Sequence, residues 1–354
     1  MTNYMDMING ELNRARSIPI TYNNHAGSEI ALFRADHFPA GVKHAIGRCL
    51  IAHALDTGQI TKSTKAIVIH GAGNTVSAVK SAVDELSLDL KVVAVIYAET
   101  SRHMWQRLEQ QGIEVVAETP RIEGREGRLS TVEELCRGNK GYIPLEQHEQ
   151  PKIIEIQRDT FGKRIAEELS PTHLIAGVGT GGTIFGIGEA LKQINPDIQI
   201  IGVEGVGSTL SLWRAYLSVA GHGFDVQRTA IKSALNNYRI AGMLTSLACY
   251  PDNPPDEWFE IEIDFPDEDN GIMGIEGLGV GDPTKLIMEH VSLLTSVKII
   301  TDDETASGVQ TLKSYGINAV DSAGANLFAA RQLAEELKKE GRKGKIVTIV
   351  TASK

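Results

Sequence analysis

The sequence predicts an α/β protein built on parallel β-sheets with helices on both faces. Short apolar runs at 65–69, 91–98 and 174–176 have the length and composition of buried strands. Segments with helical spacing of apolar residues follow these runs, and such alternation is typical of a parallel sheet covered on both sides. No apolar run of the sequence reaches the length of a membrane span.

The elements can be assigned in order from residue 29 onward. We expect strands at 29–33, 65–69, 91–98, 113–117, 174–176, 198–204, 258–263, 297–301 and 345–351. We expect helices at 42–55, 75–86, 101–111, 130–138, 152–169, 183–192, 284–294, 303–314 and 327–340, with a loop at 321–326. Residues 1–25 show little periodicity and are expected to lie on the surface. Residues 213–270 break the alternation, and their acidic end at 264–269 favours an exposed insertion over a metal site.

Composition limits the classes of function. The chain has 354 residues, 42% of them hydrophobic, and a net charge of −10, which argues against a general nucleic-acid or anionic-membrane surface. Its three cysteines are widely spaced and odd in number, which favours reduced thiols. The first residues are polar and unlike a signal peptide, so we expect a cytoplasmic protein.

A glycine-rich turn at 177–183, Gly-Val-Gly-Thr-Gly-Gly-Thr, lies between a predicted strand and a predicted helix. In this arrangement backbone N–H groups and the positive end of the helix face one spot, which makes an anion site. The hydroxyl groups of Thr180 and Thr183 add two donors. We therefore predict a phosphate cradle at this turn.

The same turn also fits a dinucleotide fingerprint. Gly177, Gly179 and Gly182 have the G-x-G-x-x-G spacing, and Glu204 ends the next predicted strand, where an acid could bind a ribose. The pattern is weak evidence by itself, because any tight turn from strand to helix favours glycine. A nicotinamide-dependent dehydrogenase therefore remains an alternative at this point.

Four separated segments carry a more specific resemblance. Lys43 opens a predicted helix, and it is followed along the chain by Gly-Ala-Gly-Asn-Thr at 71–75, the turn at 177–183 and Ser-Ala-Gly-Ala at 322–325. In this order they resemble the pyridoxal-phosphate enzymes of the tryptophan-synthase-β fold (fold type II), particularly the cysteine synthase and cystathionine β-synthase branch. The resemblance covers roughly residues 17–350, apart from 213–270.

The resemblance implies two helix-flanked, parallel-sheet domains with the cofactor between them. The large, phosphate-binding domain would comprise residues 1–46 and 149–354, with 213–270 as an insertion atypical of the family. The small domain, residues 47–148, would bind the substrate carboxylate. Most proteins of this fold are homodimers, so a homodimer is expected.

The resemblance also assigns a cofactor site for pyridoxal 5'-phosphate. Lys43 would form the Schiff base and then remove the α-proton of the substrate. Asn74 would hydrogen-bond the 3′-oxygen of the cofactor, and Ser322 would meet its pyridine nitrogen. Each residue could also be a helix N-cap, and for Asn74 the two roles are compatible. The phosphate would bind to Gly179, Thr180, Gly181, Gly182 and Thr183.

The substrate site implied by the resemblance lies mainly in the loop at 71–75. Its backbone N–H groups would hold the carboxylate of the amino acid, and Gly277 would lie near its amine. His70 could contact the substrate, although a histidine at a strand end is more often structural. Two departures from the branch are Gly-Val-Lys-His-Ala at 41–45 and the loss of two hydroxyl side chains at 71–72. The predicted substrate-binding residues are Gly71, Ala72, Gly73, Thr75, Gln147 and Gly277.

The resemblance implies β-replacement on serine or an O-activated serine through an aminoacrylate, giving a β-substituted L-amino acid. The partners would be an amino-acid substrate and a small nucleophile, without a metal, a nucleic acid or a membrane. A serine/threonine dehydratase-type lyase is the alternative within the fold. A protein that holds the cofactor without catalysis is a third possibility, suggested by the atypical segment around Lys43.

Overall fold

The computed structural model describes residues 3–71, 73–120, 124–146, 150–206, 208–219, 224–240, 244–250, 258–264, 278 and 284–353. The strands within these ranges are β1 (Ile20–His25), β2 (Ser28–Phe33), β3 (Ala66–His70), β4 (Lys91–Tyr97), β5 (Glu114–Thr119), β6 (Tyr142–Pro144), β7 (His173–Gly177), β8 (Gln199–Gly205), β9 (Leu244–Tyr250), β10 (Trp258–Asp264), β11 (Ser296–Ile300) and β12 (Lys345–Ile349). The predicted α/β class is confirmed.

The helices alternate with most of these strands. They are α1 (Tyr4–Arg16), α2 (His44–Asp56), α3 (Asn74–Glu85), α4 (Arg102–Gln110), α5 (Gly124–Gly138), α6 (Lys152–Gln157), α7 (Lys163–Glu168), α8 (Gly182–Ile194), α9 (Leu210–Ser218), α10 (Phe224–Ile240), α11 (Lys285–His290), α12 (Asp302–Ser314) and α13 (Asp321–Lys339). A π-helical turn, Arg158–Gly162, joins α6 to α7. In the part of the chain that the structure describes, no helix has the length and apolar character needed to cross a membrane.

The chain forms two compact units. Unit 1 contains Met1–Ile18 and Ala35–Arg164, and unit 2 contains Pro19–Arg34 and Ile165–Lys354. The boundaries between the two units differ from the predicted domain boundaries, which were placed after residues 46 and 148. The compact units follow the density of internal contacts, whereas the predicted domains follow a functional division, so the predicted boundaries stay a prediction.

Unit 1 is built around a four-stranded parallel sheet in the order β5-β4-β3-β6. Helices α2 and α3 lie so close that a Cβ atom added to Gly47 would be 2.5 Å from the carbonyl carbon of Ala78. Only glycine permits this approach, because real Cβ contacts are longer. The close packing holds α2, which follows Lys43, against α3, which begins at Asn74.

The prediction that residues 1–25 only cover the surface is wrong. Asn3 caps α1 by accepting a hydrogen bond from the Asp6 N–H at 2.9 Å. The helix then buries one face, and β1 and β2 follow it as an antiparallel hairpin. The buried residues of α1 are Met7, Ile8, Glu11, Leu12 and Ala15.

Unit 2 contains a six-stranded sheet in the order β1-β2-β12-β7-β8-β11. Its strands are parallel except for the antiparallel pair β1–β2. Helix α13 packs on this sheet, and buried apolar side chains fill the space between them. They include Ile30, Leu32, Ile175, Ile201, Val203, Leu327, Leu333 and Ile346.

The segment 213–270 is not simply an exposed insertion, as the sequence suggested. Helices α9 and α10 bury apolar side chains against each other, and Ile299 of β11 packs against the same cluster. Strands β9 and β10 form an antiparallel pair. The acidic residues 265–269 lie outside the described residues. The buried members of the cluster are Leu212, Ala215, Ile231, Ala234 and Leu235.

Candidate functional site

Lys43 ends a 3₁₀ turn, Gly41–Lys43, that leads directly into α2. The carbonyl of Val42 accepts a hydrogen bond of 2.7 Å from Nε2 of the buried Gln157, which fixes the backbone just before the lysine. The residue as a whole is partly exposed, but burial of its amine lowers the pKa of Lys43 to about 8. With that pKa, roughly a tenth of the amine is neutral at pH 7, and the neutral amine is the form that attacks an aldehyde.

The predicted carboxylate loop lies between β3 and α3. Gly73 is the N-cap residue of α3 and supplies no side-chain hydrogen bond, so the N-cap role considered for Asn74 is wrong. The first-turn N–H groups of α3 therefore lack a side-chain cap and can bind a carboxylate. Thr75 is buried in the first turn. The predicted residues Ala72, Gln147 and Gly277 lie outside the described residues.

His70 ends β3 and pairs with an acid. Its Nε2 lies 3.2 Å from a carboxylate oxygen of Glu146, which follows β6. The histidine is 1% exposed, so this contact joins the ends of two neighbouring strands inside unit 1. The pairing agrees with the structural role considered for His70, and a contact with substrate stays a prediction.

The predicted phosphate turn connects β7 to α8. Gly181 is the N-cap residue of α8, with φ +88° and no side-chain hydrogen bond to the helix. A Cβ atom at this position would lie 2.4 Å from the Phe185 ring, so the turn requires glycine for its backbone conformation and for space. The carbonyl of Thr180 accepts a 3.1 Å hydrogen bond from the Thr284 hydroxyl. The first N–H groups of α8 can therefore hold an anion such as a phosphate.

Ser322 lies in the first turn of α13, whose N-cap is Val320, so the loop predicted at 321–326 and the N-cap role for Ser322 are both wrong. Its hydroxyl shares a 2.8 Å hydrogen bond with the Thr351 hydroxyl. Thr351 follows β12, and β12 is the parallel neighbour of β7. Because parallel strands end at the same edge, unit 2 places Ser322 and the phosphate turn at one edge of its sheet.

Glu204 does not have the environment of a ribose-binding acid. It is 0% exposed, and its carboxylate accepts hydrogen bonds from the N–H groups of Leu210, at 3.0 Å, and Ser211, at 3.3 Å. These contacts satisfy the start of α9 from within the protein. Burial raises the pKa of Glu204 to about 7, although the hydrogen bonds partly oppose the shift.

We expect Glu204 to make the stability of the protein depend on pH. Between pH 4.5 and about 7 the folded protein holds the Glu204 proton more tightly than the unfolded chain. Its contribution to the free energy of unfolding therefore falls as pH rises through this window, by up to about 3 kcal/mol, and is constant above it. Urea unfolding at several pH values measures this effect. Between pH 5 and 7, a rise in pH should lower the free energy of unfolding less in Glu204→Gln than in the wild type.

The control is Glu133→Gln, because that carboxylate is 73% exposed and pairs only loosely with Arg137 at 4.0 Å. This variant should keep the pH dependence of the wild type. If Glu204→Gln and the wild type have the same pH slope between pH 5 and 7, Glu204 is ionised throughout that range.

Residues 26–226 of the chain match the family described as pyridoxal-phosphate dependent enzyme, which is more than half of the chain. The chain belongs to this family. Among curated proteins, the pyridoxal-phosphate-dependent chain is 36% identical to a cysteine synthase of Helicobacter pylori (strain J99 / ATCC 700824) over 177 residues, covering 49% of the chain and 56% of that relative. It is 27% identical to a cysteine synthase of Aquifex aeolicus (strain VF5) over 324 residues, covering 88% of the chain and 76% of that relative.

Solved structures show the same fold. An O-acetylserine dependent cystathionine beta-synthase from Helicobacter pylori is 25% identical with a TM-score of 0.71, covering 100% of this chain and 95% of that one. A hydrogen sulfide-producing enzyme from Fusobacterium nucleatum has a TM-score of 0.71 at 22% identity, covering 97% and 95%. The chain spans about half the length of the first curated relative that it matches.

These findings confirm the predicted fold type, the resemblance to the cysteine synthase branch and the pyridoxal phosphate cofactor. The alternative of a nicotinamide-dependent dehydrogenase is wrong, because the chain belongs to the pyridoxal-phosphate family. The carboxylate of Glu204, which was considered as a ribose ligand, is instead bound to backbone N–H groups inside the protein. The residues present also fit the cofactor. An uncapped helix start suits its phosphate, and a partly neutral amine suits its aldehyde.

Sequence reasoning missed a buried ionic cluster in the segment after Lys43. Arg48 donates from Nε to a Glu11 carboxylate oxygen at 2.7 Å, and Arg48 also contacts Glu85. Nε2 of His44 lies 3.9 Å from the other Glu11 oxygen, and burial lowers the pKa of His44 to about 4, which keeps this imidazole neutral at neutral pH. Glu11 and His44 are each 1% exposed, so the cluster lies inside unit 1, where removing one charged partner would leave the other buried and unpaired.

Proposed function

We propose that the chain catalyses β-replacement on serine or an O-activated serine, giving a β-substituted L-amino acid. The observation that carries the proposal is the buried Lys43 amine, whose lowered pKa suits an amine that binds an aldehyde and then carries a proton. The named reactions of the relatives, cysteine synthases and an O-acetylserine dependent synthase, support this reaction class.

The cofactor, when bound, supplies an aldehyde carbon for an amine and a ring that withdraws electrons from the substrate Cα. We propose that Lys43 Nζ holds the aldehyde and later takes the proton from Cα. The phosphate would bind to the N–H groups and hydroxyls of Gly179–Thr183. Ser322 would contact the ring nitrogen. A hydroxyl there does not keep the nitrogen protonated, which favours elimination and replacement at Cβ over a long-lived charge at Cα.

We propose that the amino-acid substrate binds through its carboxylate at the start of α3. The uncapped N–H groups after Gly73 support this role, since a helix start attracts an anion. Gly71, Ala72, Gly73, Thr75 and Gln147 would form this carboxylate site, and Gly277 would lie beside the substrate amine. We also propose that the protein is cytoplasmic and forms a homodimer. Light scattering of the purified protein tests the homodimer.

A substrate screen tests the reaction. Purified protein loaded with pyridoxal phosphate should be given serine, O-acetylserine or O-phosphoserine, each with and without sulfide or a small thiol. Mass spectrometry should find a β-substituted amino acid only when a nucleophile is present. Keto-acid release without any nucleophile would instead identify a dehydratase-type lyase. A protein that binds the cofactor but changes none of these substrates would be catalytically silent towards them.

A further inference from the structure

Arg107 makes an unusual contact in unit 1. Its Nη2 donates a 3.0 Å hydrogen bond to Oδ1 of Asn74, across 33 residues of sequence, and the bond is partly buried. Among the described residues, the guanidinium of Arg107 donates to this amide oxygen and has no carboxylate partner. A permanently charged group is therefore directed at a neutral amide.

The fold holds the two residues in place. Arg107 lies in α4, which follows β4, and Asn74 is the first residue of α3, which follows β3. Strands β3 and β4 are parallel neighbours, and the N–H of Gly71 extends their ladder by donating to the Val95 carbonyl at 2.8 Å. Asn74, at the start of α3, therefore lies near the end of β4, the strand that precedes α4 and Arg107.

The chemistry of the contact fixes which way the Asn74 amide faces. An amide has one oxygen that accepts and one NH₂ group that donates, whereas a guanidinium only donates. If the amide turned over, two donors would face each other and the hydrogen bond would be lost. Arg107 therefore holds the oxygen towards itself, and the Asn74 NH₂ group is directed away from Arg107 as a donor.

We propose that Arg107 is a positioning residue that orients the Asn74 amide so that its NH₂ group donates to the 3′-oxygen of the bound cofactor. This inference rests on the proposed function, which assigns Asn74 to that oxygen. The 3′-oxygen of pyridoxal phosphate is an acceptor when ionised, so an amide in the opposite orientation would present a second acceptor to it.

The proposal predicts a graded series of variants at one position. Arg107→Lys still only donates and should hold the cofactor nearly as well as the wild type. Arg107→Met leaves both amide orientations open and should weaken the equilibrium binding of pyridoxal phosphate about threefold. Arg107→Glu accepts, favours the wrong orientation and should weaken binding about tenfold. Fluorescence titration of the apoprotein measures the affinity, and the absorption spectrum of the loaded protein, followed against pH, reports the ionisation of the 3′-oxygen.

Arg102→Glu is the matched control, because Arg102 lies on the same helix, carries the same charge and packs over the Trp105 ring rather than on Asn74. It should bind the cofactor as the wild type does. The Asn74→Ala background supplies the second control. There Arg107→Glu should cause no further loss of affinity, because the amide through which Arg107 acts has been removed.

Equal losses in Arg107→Glu and Arg102→Glu would overturn the inference, since a general charge effect would then explain both. An undiminished effect of Arg107→Glu in the Asn74→Ala background would overturn it as well. If Arg107→Glu does not fold, as judged by circular dichroism, the comparison of Arg107→Met with Arg107→Lys decides, and equal affinities would contradict the inference. A wild type that binds no pyridoxal phosphate would instead overturn the proposed function, and this inference with it.

Discussion

Lys43→Ala is expected to lose the visible absorption of lysine-bound cofactor and at least about a thousandfold of its turnover. The alanine removes both the amine that binds the cofactor aldehyde and the group proposed to carry the substrate proton. Turnover with the best amino-acid substrate and the spectrum of the purified protein check the two losses separately. The loss of turnover should exceed the loss of cofactor affinity, because the phosphate turn in unit 2 is unchanged.

The pH dependence of cofactor capture adds a sharper test of Lys43. Since burial lowers the pKa of this amine to about 8, the rate at which wild-type apoprotein binds the cofactor covalently should be half-maximal near pH 8 and level off at about pH 9. An ordinary lysine would still gain rate above pH 9. Lys62→Ala removes an exposed lysine and should behave as the wild type. A Lys43→Ala protein that keeps the visible band would show that another lysine holds the cofactor.

Arg48→Met is expected to destabilise the protein by about 3–5 kcal/mol. Glu11 is 1% exposed, and Arg48 provides its 2.7 Å hydrogen bond and most of its compensating charge. Without Arg48 a buried carboxylate lacks this partner. The loss of stability should shrink as pH falls, because a protonated Glu11 no longer needs a cation.

Urea unfolding at pH 5 and pH 8 measures this effect. The double variant Glu11→Leu with Arg48→Met should recover much of the loss, since an apolar pair leaves no unpaired charge. Arg137→Met is the control, because its ion pair with Glu133 is exposed and should contribute less than about 1 kcal/mol. An Arg48→Met variant as stable as the wild type would mean that water or another group satisfies Glu11.

Much of the fold could be predicted because continuous apolar runs identify buried parallel strands. The runs at 65–69 and 174–176 became β3 and β7, each within one or two residues. Helix α1 was missed because Glu11, a charged residue, is buried on the same face as Leu12 and interrupts the apolar pattern. The segment 213–270 was misjudged because its cluster depends on α9 packing against α10, which local periodicity does not report.

In the candidate site, too, local motifs could be predicted from the sequence, whereas contacts between distant residues could not. Gly181 could be recognised because a tight turn from strand to helix requires glycine, and the order of motifs identified the family. The partners of the site residues could not be found, since Arg107 and Asn74 are 33 positions apart and meet only after α3 and α4 have packed. Thr351 likewise meets Ser322 only after the segment following β12 has paired with the segment before α13, through the antiparallel bridge between Ala319 and Ser353.

The position of β12 has a consequence for how the protein is made. This strand lies between β2 and β7, although it is synthesised more than 300 residues after β2 and long after β7. During translation the six-stranded sheet therefore stays divided, with one edge of β2 and one edge of β7 unpaired, until Lys345–Ile349 has left the ribosome. The four-stranded sheet of unit 1 has no such requirement, since its strands all lie between residues 66 and 144. Unit 1 can thus fold on the nascent chain while unit 2 waits for the last strand.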